Sequence, residues 1–123
     1  MATRSRTPTS HLAGTADEIE VSFYEALQAG DIDRLMACWA DEDDIVCVHP
    51  GGGRLLGAGE IRAAFEAMFA NGQLRVQAEQ VHRVDAMASS VHSVLERIEV
   101  ATAEGQRTAW VVATNVYHRT AAG

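Results

Sequence analysis

At Leu74 the apolar pattern of this chain changes its period. Before it, apolar residues recur every three or four positions; after it, they alternate. Helices followed by strands specify an α+β domain, with the helices laid across one face of an antiparallel sheet. The stretch Thr15–Ala70 carries the helical part, and the layers should close a cavity between them.

Thr15 opens the first helix with a capping box, its hydroxyl placed for the amide of Glu18 and the Glu18 carboxylate reaching back. Ile19, Phe23, Ala26 and Leu27 form the expected buried stripe, with Tyr24 on its flank. Gly30 ends the helix where a left-handed residue is needed. Asp31 caps a second, shorter helix bearing Ile32, Leu35, Met36 and Trp39. The acidic run Asp41–Asp44 lacks the alternating ligand spacing of a calcium loop and reads as a solvated turn, so no metal is assigned.

Ile45–His49 is the first expected strand, with Ile45, Cys47 and His49 on one face. Pro50 and the glycines at 51–53 break it. That glycine run has neither the spacing nor the Lys-Ser/Thr end of a phosphate loop. Leu55 and Leu56 make a short edge strand, and Gly57 and Gly59 turn the chain into a third helix with Ile61, Phe65, Met68 and Phe69 inward. Three long strands follow, roughly 73–84, 89–103 and 106–119. On the second of these, His92, Val94, Glu96 and Ile98 share a face; His82 and His92 are read as solvated or edge residues. On the third, Val111, Ala113, Asn115 and Tyr117 lie opposite Trp110, Val112 and Val116. Apolar on both faces, this strand should be covered twice, by the helices and by a second subunit.

With 123 residues the chain is long enough for one core and is read as one domain, 15–123, behind a disordered arm, 1–14. A formal charge of −7 argues against nucleic acid. No apolar run approaches the roughly 18 to 20 residues of a membrane helix. Cys38 and Cys47 lack metal-type spacing and read as reduced core residues, which suits the cytoplasm.

Three helices and a curved sheet, with Tyr24–Asp31, Leu35–Asp41, His49-Pro50 and Gly57–Phe65 in this order, resemble the NTF2-like superfamily. It includes ketosteroid isomerase, the SnoaL-type polyketide cyclases and nuclear transport factor 2. The resemblance implies a cystatin-like cone whose three N-terminal helices pack on a mostly antiparallel sheet around a pocket. The family usually adds one more strand after the turn reached at Gly123, so either the sheet is one strand short or the sequence stops before that strand. In ketosteroid isomerases a first-helix tyrosine contacts the substrate carbonyl; that position is Phe23 here, with Tyr24 adjacent. The general base before a proline falls on His49, and the second oxyanion donor on Asn115. That is no ketosteroid isomerase signature, and the His-Pro is closer to SnoaL-like bacterial proteins.

The candidate catalytic residues are therefore His49 as base, Asn115 as oxyanion donor and Glu96 as the carboxylate holding the histidine tautomer. Phe23, Tyr24, Trp39 and Cys47 are expected to line the ligand pocket from one side. Phe65, Met68, Val111, Ala113 and Tyr117 line it from the other. This set suits proton transfer beside a carbonyl on an apolar small molecule, as in a cofactor-free isomerase or cyclase. The alternatives are a binding module without turnover and a homo-oligomeric association domain. A homodimer through Trp110, Val112 and Val116 fits each of them.

Overall fold

A computed structural model describes residues 14–72, 74–121 and 123. The expected N-terminal arm, 1–14, lies outside the described residues apart from Gly14. The elements follow the order expected: α1 (Ala16–Ala29), α2 (Ile32–Ala37), β1 (Val46–Val48), β2 (Arg54–Leu56), α3 (Gly57–Ala70), β3 (Arg75–Asp85), β4 (Ser89–Thr102) and β5 (Gly105–His118).

Both halves of the capping box at Thr15 are formed, with Glu18 N donating to Thr15 Oγ1 at 3.1 Å and Thr15 N to Glu18 Oε1 at 2.9 Å. Gly30 closes α1 at φ 68°, a conformation that costs a residue with a Cβ about 1–2 kcal/mol. The Asp31 side chain accepts from Arg34 N at 3.1 Å and starts α2. The α3 helix begins at Gly57 itself rather than after Gly59, with Glu60 Oε1 accepting from Leu56 N at 2.9 Å.

The strands form two sheets. β1 and β2 make an antiparallel hairpin, with Cys47 opposite Leu55, and β3, β4 and β5 make an antiparallel meander. Between Ala78 and Val81 the β3–β4 register slips, placing Glu79 and Gln80 against Leu95 alone. Such a bulge bends its strand and increases the local twist, which curves the sheet around the helices. The inner face carries His92, Val94, Glu96 and Ile98 of β4 directly opposite Asn115, Ala113, Val111 and Ala109 of β5.

The core joins α1, α2 and α3 to this face through Leu27, Leu35, Ile61, Phe65, Val76 and Val94. Leu35 and Ile61 are wholly buried, each worth about 1.5–3 kcal/mol of transfer free energy. The stripe on α1 is rotated from the one expected. Glu20, Tyr24, Ala26 and Leu27 are buried, whereas Ile19 and Phe23 are half-buried and face open space. The helix covers a cavity as well as a core, and Ile19 and Phe23 line that cavity.

Candidate functional site

Between the helices and the inner sheet face lies a cavity of about 1280 Å³. Phe23 and Trp39 reach it from the helical layer, and Phe65 and Met68 from α3. Cys47 and His49 come from β1, Glu96 from β4, and Val111, Ala113, Asn115 and Tyr117 from β5. Eleven of the twelve expected site residues therefore meet at one cavity. The exception is Tyr24, which is buried behind the wall and does not line this cavity.

Aromatic rings set the helical side of the cavity. Phe23 packs edge-on against Trp39, with centroids 6.4 Å apart, and against Phe65 at 6.1 Å. Phe65 also meets the imidazole of His49 edge-on at 4.7 Å. His49 stands one residue beyond the end of β1, on the same side as Cys47, and its Nε2 lies 3.4 Å from Cys47 Sγ. Partial burial lowers the His49 pKa below the ordinary imidazole value, so the ring is neutral at neutral pH. The Cys47 thiol is pushed up to about 11, chiefly by burial and then by the charge of Glu96. It is a proton-bearing wall residue.

Glu96 does not hold the histidine. Its Oε2 accepts the Tyr24 hydroxyl at 2.6 Å, and among the described residues no hydrogen bond joins it to His49. Burial raises its pKa, while the Tyr24 bond pulls the other way. The tyrosine pKa is itself raised, first by burial and then by Glu96. Asn115 is equally engaged. Its amide nitrogen donates to Tyr24 Oη at 3.0 Å and to Glu20 Oε2 at 3.4 Å, so it braces the wall instead of standing free as an oxyanion donor.

Glu20 is the residue that periodicity missed. Only 5% exposed, its Oε2 also meets Tyr117 Oη and His92 Nδ1, each at 2.8 Å. His92, expected at an edge or in solvent, is 1% exposed and sits in this cluster with its Nε2 3.9 Å from Asp17 Oδ1. Burial and the bond to Glu20 raise the Tyr117 pKa. A signal was present in the sequence: His92, Asn115 and Tyr117 all fall on strand faces turned toward the helices, where buried polar groups need partners. Glu20 and Tyr24, one turn apart on α1, supply them. No cluster of His, Cys, Asp or Glu suited to a metal ion occurs among the described residues.

Residues 18–123 match the SnoaL-like domain. The chain belongs to this family. Solved structures carry the same SnoaL-like, NTF2-like fold. One, from Thiobacillus denitrificans, is named for the calcium/calmodulin-dependent protein kinase type II association domain. It is 33% identical, with 87% of this chain and 85% of that one covered and a TM-score of 0.77. A Streptomyces avermitilis protein of the NTF2-like family, named as a dehydratase, is 27% identical over the same shares, with a TM-score of 0.76. A Mycobacterium tuberculosis protein solved with estradiol-17beta-hemisuccinate covers 87% of this chain and 85% of its own at 23% identity and a TM-score of 0.60; it supports the fold alone. No curated protein matches the sequence. The SnoaL-like fold accounts for the cone of helices on a curved sheet and for the cavity between them. No helix among the described residues is long and apolar enough to cross a membrane.

Proposed function

We propose that the cavity holds a small apolar carbonyl compound and that His49 moves a proton on the carbon beside the carbonyl, in an isomerisation or cyclisation. One observation carries this reading. Two titratable groups on the same apolar cavity have pKa values shifted in opposite directions by burial, His49 down and Glu96 up. The first is thereby a neutral base and the second a carboxyl that keeps its proton more readily, which is how one site performs both halves of a proton transfer. His49 takes the proton from the α-carbon. Glu96, held by Tyr24, hydrogen-bonds the carbonyl oxygen as negative charge develops there, in the role that Asn115 is not free to fill. Phe23, Trp39, Phe65 and Met68 exclude water around the reacting carbon.

The test is exchange of α-hydrogens for deuterium in a panel of ring ketones, lactones and polyketide-like acids, followed by NMR. A substrate should exchange with the wild type and lose about 100-fold or more of that rate with His49→Ala. A compound that raises the melting temperature of wild type and His49→Ala alike, with no exchange in either, marks a binding module without turnover.

An association role is favoured by a separate observation. On the outer face of β5, Trp110, Val112 and Val116 are 54%, 73% and 53% exposed, an apolar row that one chain leaves uncovered. The Thiobacillus neighbour is named for an association domain. A second copy packed on this row makes a homodimer, and Val112→Glu should return it to monomer by light scattering. Cys38 and Cys47 are both free, which suits a reducing cytoplasmic setting.

A further inference from the structure

The side-chain protons of Tyr24, Tyr117 and Asn115 are all committed inside the cavity wall. Tyr24 gives its hydroxyl proton to Glu96 Oε2 at 2.6 Å, and Tyr117 gives its own to Glu20 Oε2 at 2.8 Å. Asn115 donates from one nitrogen to Tyr24 Oη at 3.0 Å and to Glu20 Oε2 at 3.4 Å, which uses both of its N–H bonds. A side-chain amide has two donors on nitrogen and an acceptor oxygen, and its orientation follows from its neighbours. Here each neighbour is an oxygen. Turned the other way, the amide would set Oδ1 against Glu20 Oε2 and against a tyrosine whose proton is already given to Glu96. The hydroxyl pKa values agree: burial above all raises both Tyr24 and Tyr117, and the Asn115 amide draws both back down, as an N–H aimed at each oxygen does.

Asn115 nevertheless lines the cavity. With its nitrogen held in the wall, the atom left for the cavity is Oδ1, and no hydrogen bond among the described residues takes up that oxygen. Val111 and Ala113, on the same strand face, add no polar side chain, and Tyr117 has no second proton to offer. The wall around Asn115 therefore accepts and does not donate. Glu96 differs. Its Oε2 is taken by Tyr24, and its raised pKa keeps a proton for the other oxygen. One Tyr24 hydroxyl touches both Glu96 and Asn115, so this donor and this acceptor are neighbours on a single wall.

We propose that the cavity selects a carbonyl compound that also carries a hydroxyl, the hydroxyl donating to Asn115 Oδ1 while the carbonyl oxygen lies at Glu96. This names a substrate class for the proton-transfer site, and it rests on that reading for the place of the carbonyl. An ether at the same position sets lone pair against lone pair and leaves Asn115 Oδ1 covered without a donor. Loss of a hydrogen-bonding group is rejected more strongly than a change of size, because a polar atom of the site is then left unpaired.

The experiment titrates the protein by NMR with three probes: a tetralone bearing a hydroxyl across the ring from its carbonyl, the same compound with methoxy there, and the unsubstituted tetralone. The hydroxyl probe should bind about tenfold more tightly than the larger methoxy and the smaller unsubstituted compound, and Asn115→Leu should bring the three together. Equal binding of the three by the wild type overturns the proposal. So does binding by none of them up to their solubility, or a hydroxyl preference that survives Asn115→Leu. A measurement without ligand decides even where that variant does not fold. The Asn115 side-chain amide protons should exchange with solvent about tenfold or more slowly than those of the exposed Gln106. Equal exchange places the nitrogen in the cavity and overturns the assignment. Hydroxyl preference without deuterium exchange beside the carbonyl removes the proton-transfer reading alone, and exchange without hydroxyl preference removes this inference alone.

Discussion

Replacing Glu20 by alanine should be among the most damaging single changes in this protein, although no apolar group is lost. One oxygen, Oε2, meets His92 Nδ1 and Tyr117 Oη at 2.8 Å each and Asn115 Nδ2 at 3.4 Å. His92 is 1% exposed, so water cannot substitute freely for the lost acceptor. A buried donor left without a partner costs about 1–3 kcal/mol. Two short bonds and one long one therefore give about 3–5 kcal/mol, the sum being less than additive because the three donors share one acceptor. Domains of this kind have about 5–15 kcal/mol in all, so Glu20→Ala should lose a large part of the folded state's margin. Urea denaturation followed by tryptophan fluorescence measures it, since Trp39 is in the folded interior and Trp110 reports from the sheet. Glu25→Ala is the control. Its carboxylate is exposed and pairs with Arg34 on the surface, where about 1 kcal/mol or less is at stake. Glu20→Gln, which keeps an acceptor oxygen and the volume, should fall between the two. A loss below about 1 kcal/mol for Glu20→Ala would refute the argument that these donors depend on one carboxylate.

Two further outcomes rest on other parts of the structure. With its pKa near 11, Cys47 in the folded protein should react with iodoacetamide at pH 8 about 200-fold more slowly than a free thiol, and reach the ordinary rate in denaturant; mass spectrometry of the labelled peptide measures this. Gly30→Ala should cost about 1–2 kcal/mol in urea denaturation from backbone strain alone, because an added Cβ there meets only Phe69 at an ordinary 3.9 Å.

Much of the fold was legible in the sequence because local chemistry specifies it. The Thr15 box, the Gly30 stop and the Asp31 cap each act within a few residues, and each forms as read. Strand alternation put Asn115 and Tyr117 on the same face as Val111, and the register confirms that face. The candidate site was legible as a set of lining residues but not as a set of bonds. Glu96 pairs with Tyr24 across 72 positions of chain, and Tyr117 with Glu20 across 97. No periodicity reports such pairs. The α1 stripe was misread for a related reason. Helical spacing finds an apolar face but does not tell a core from a cavity, so it puts Phe23 in the buried stripe and passes over Glu20.

What the sequence determined by itself is the order of elements, their ends and the family, since periods, caps and turn glycines are properties of neighbouring residues. Only the tertiary structure decided that His92 is buried, that Asn115 is a brace and that His49 faces Phe65, with no carboxylate partner among the described residues. Those outcomes depend on how far α1 rotates above the sheet. That rotation is set by the packing of three helices on a bulged sheet, a balance over many distant contacts that no short stretch of chain contains.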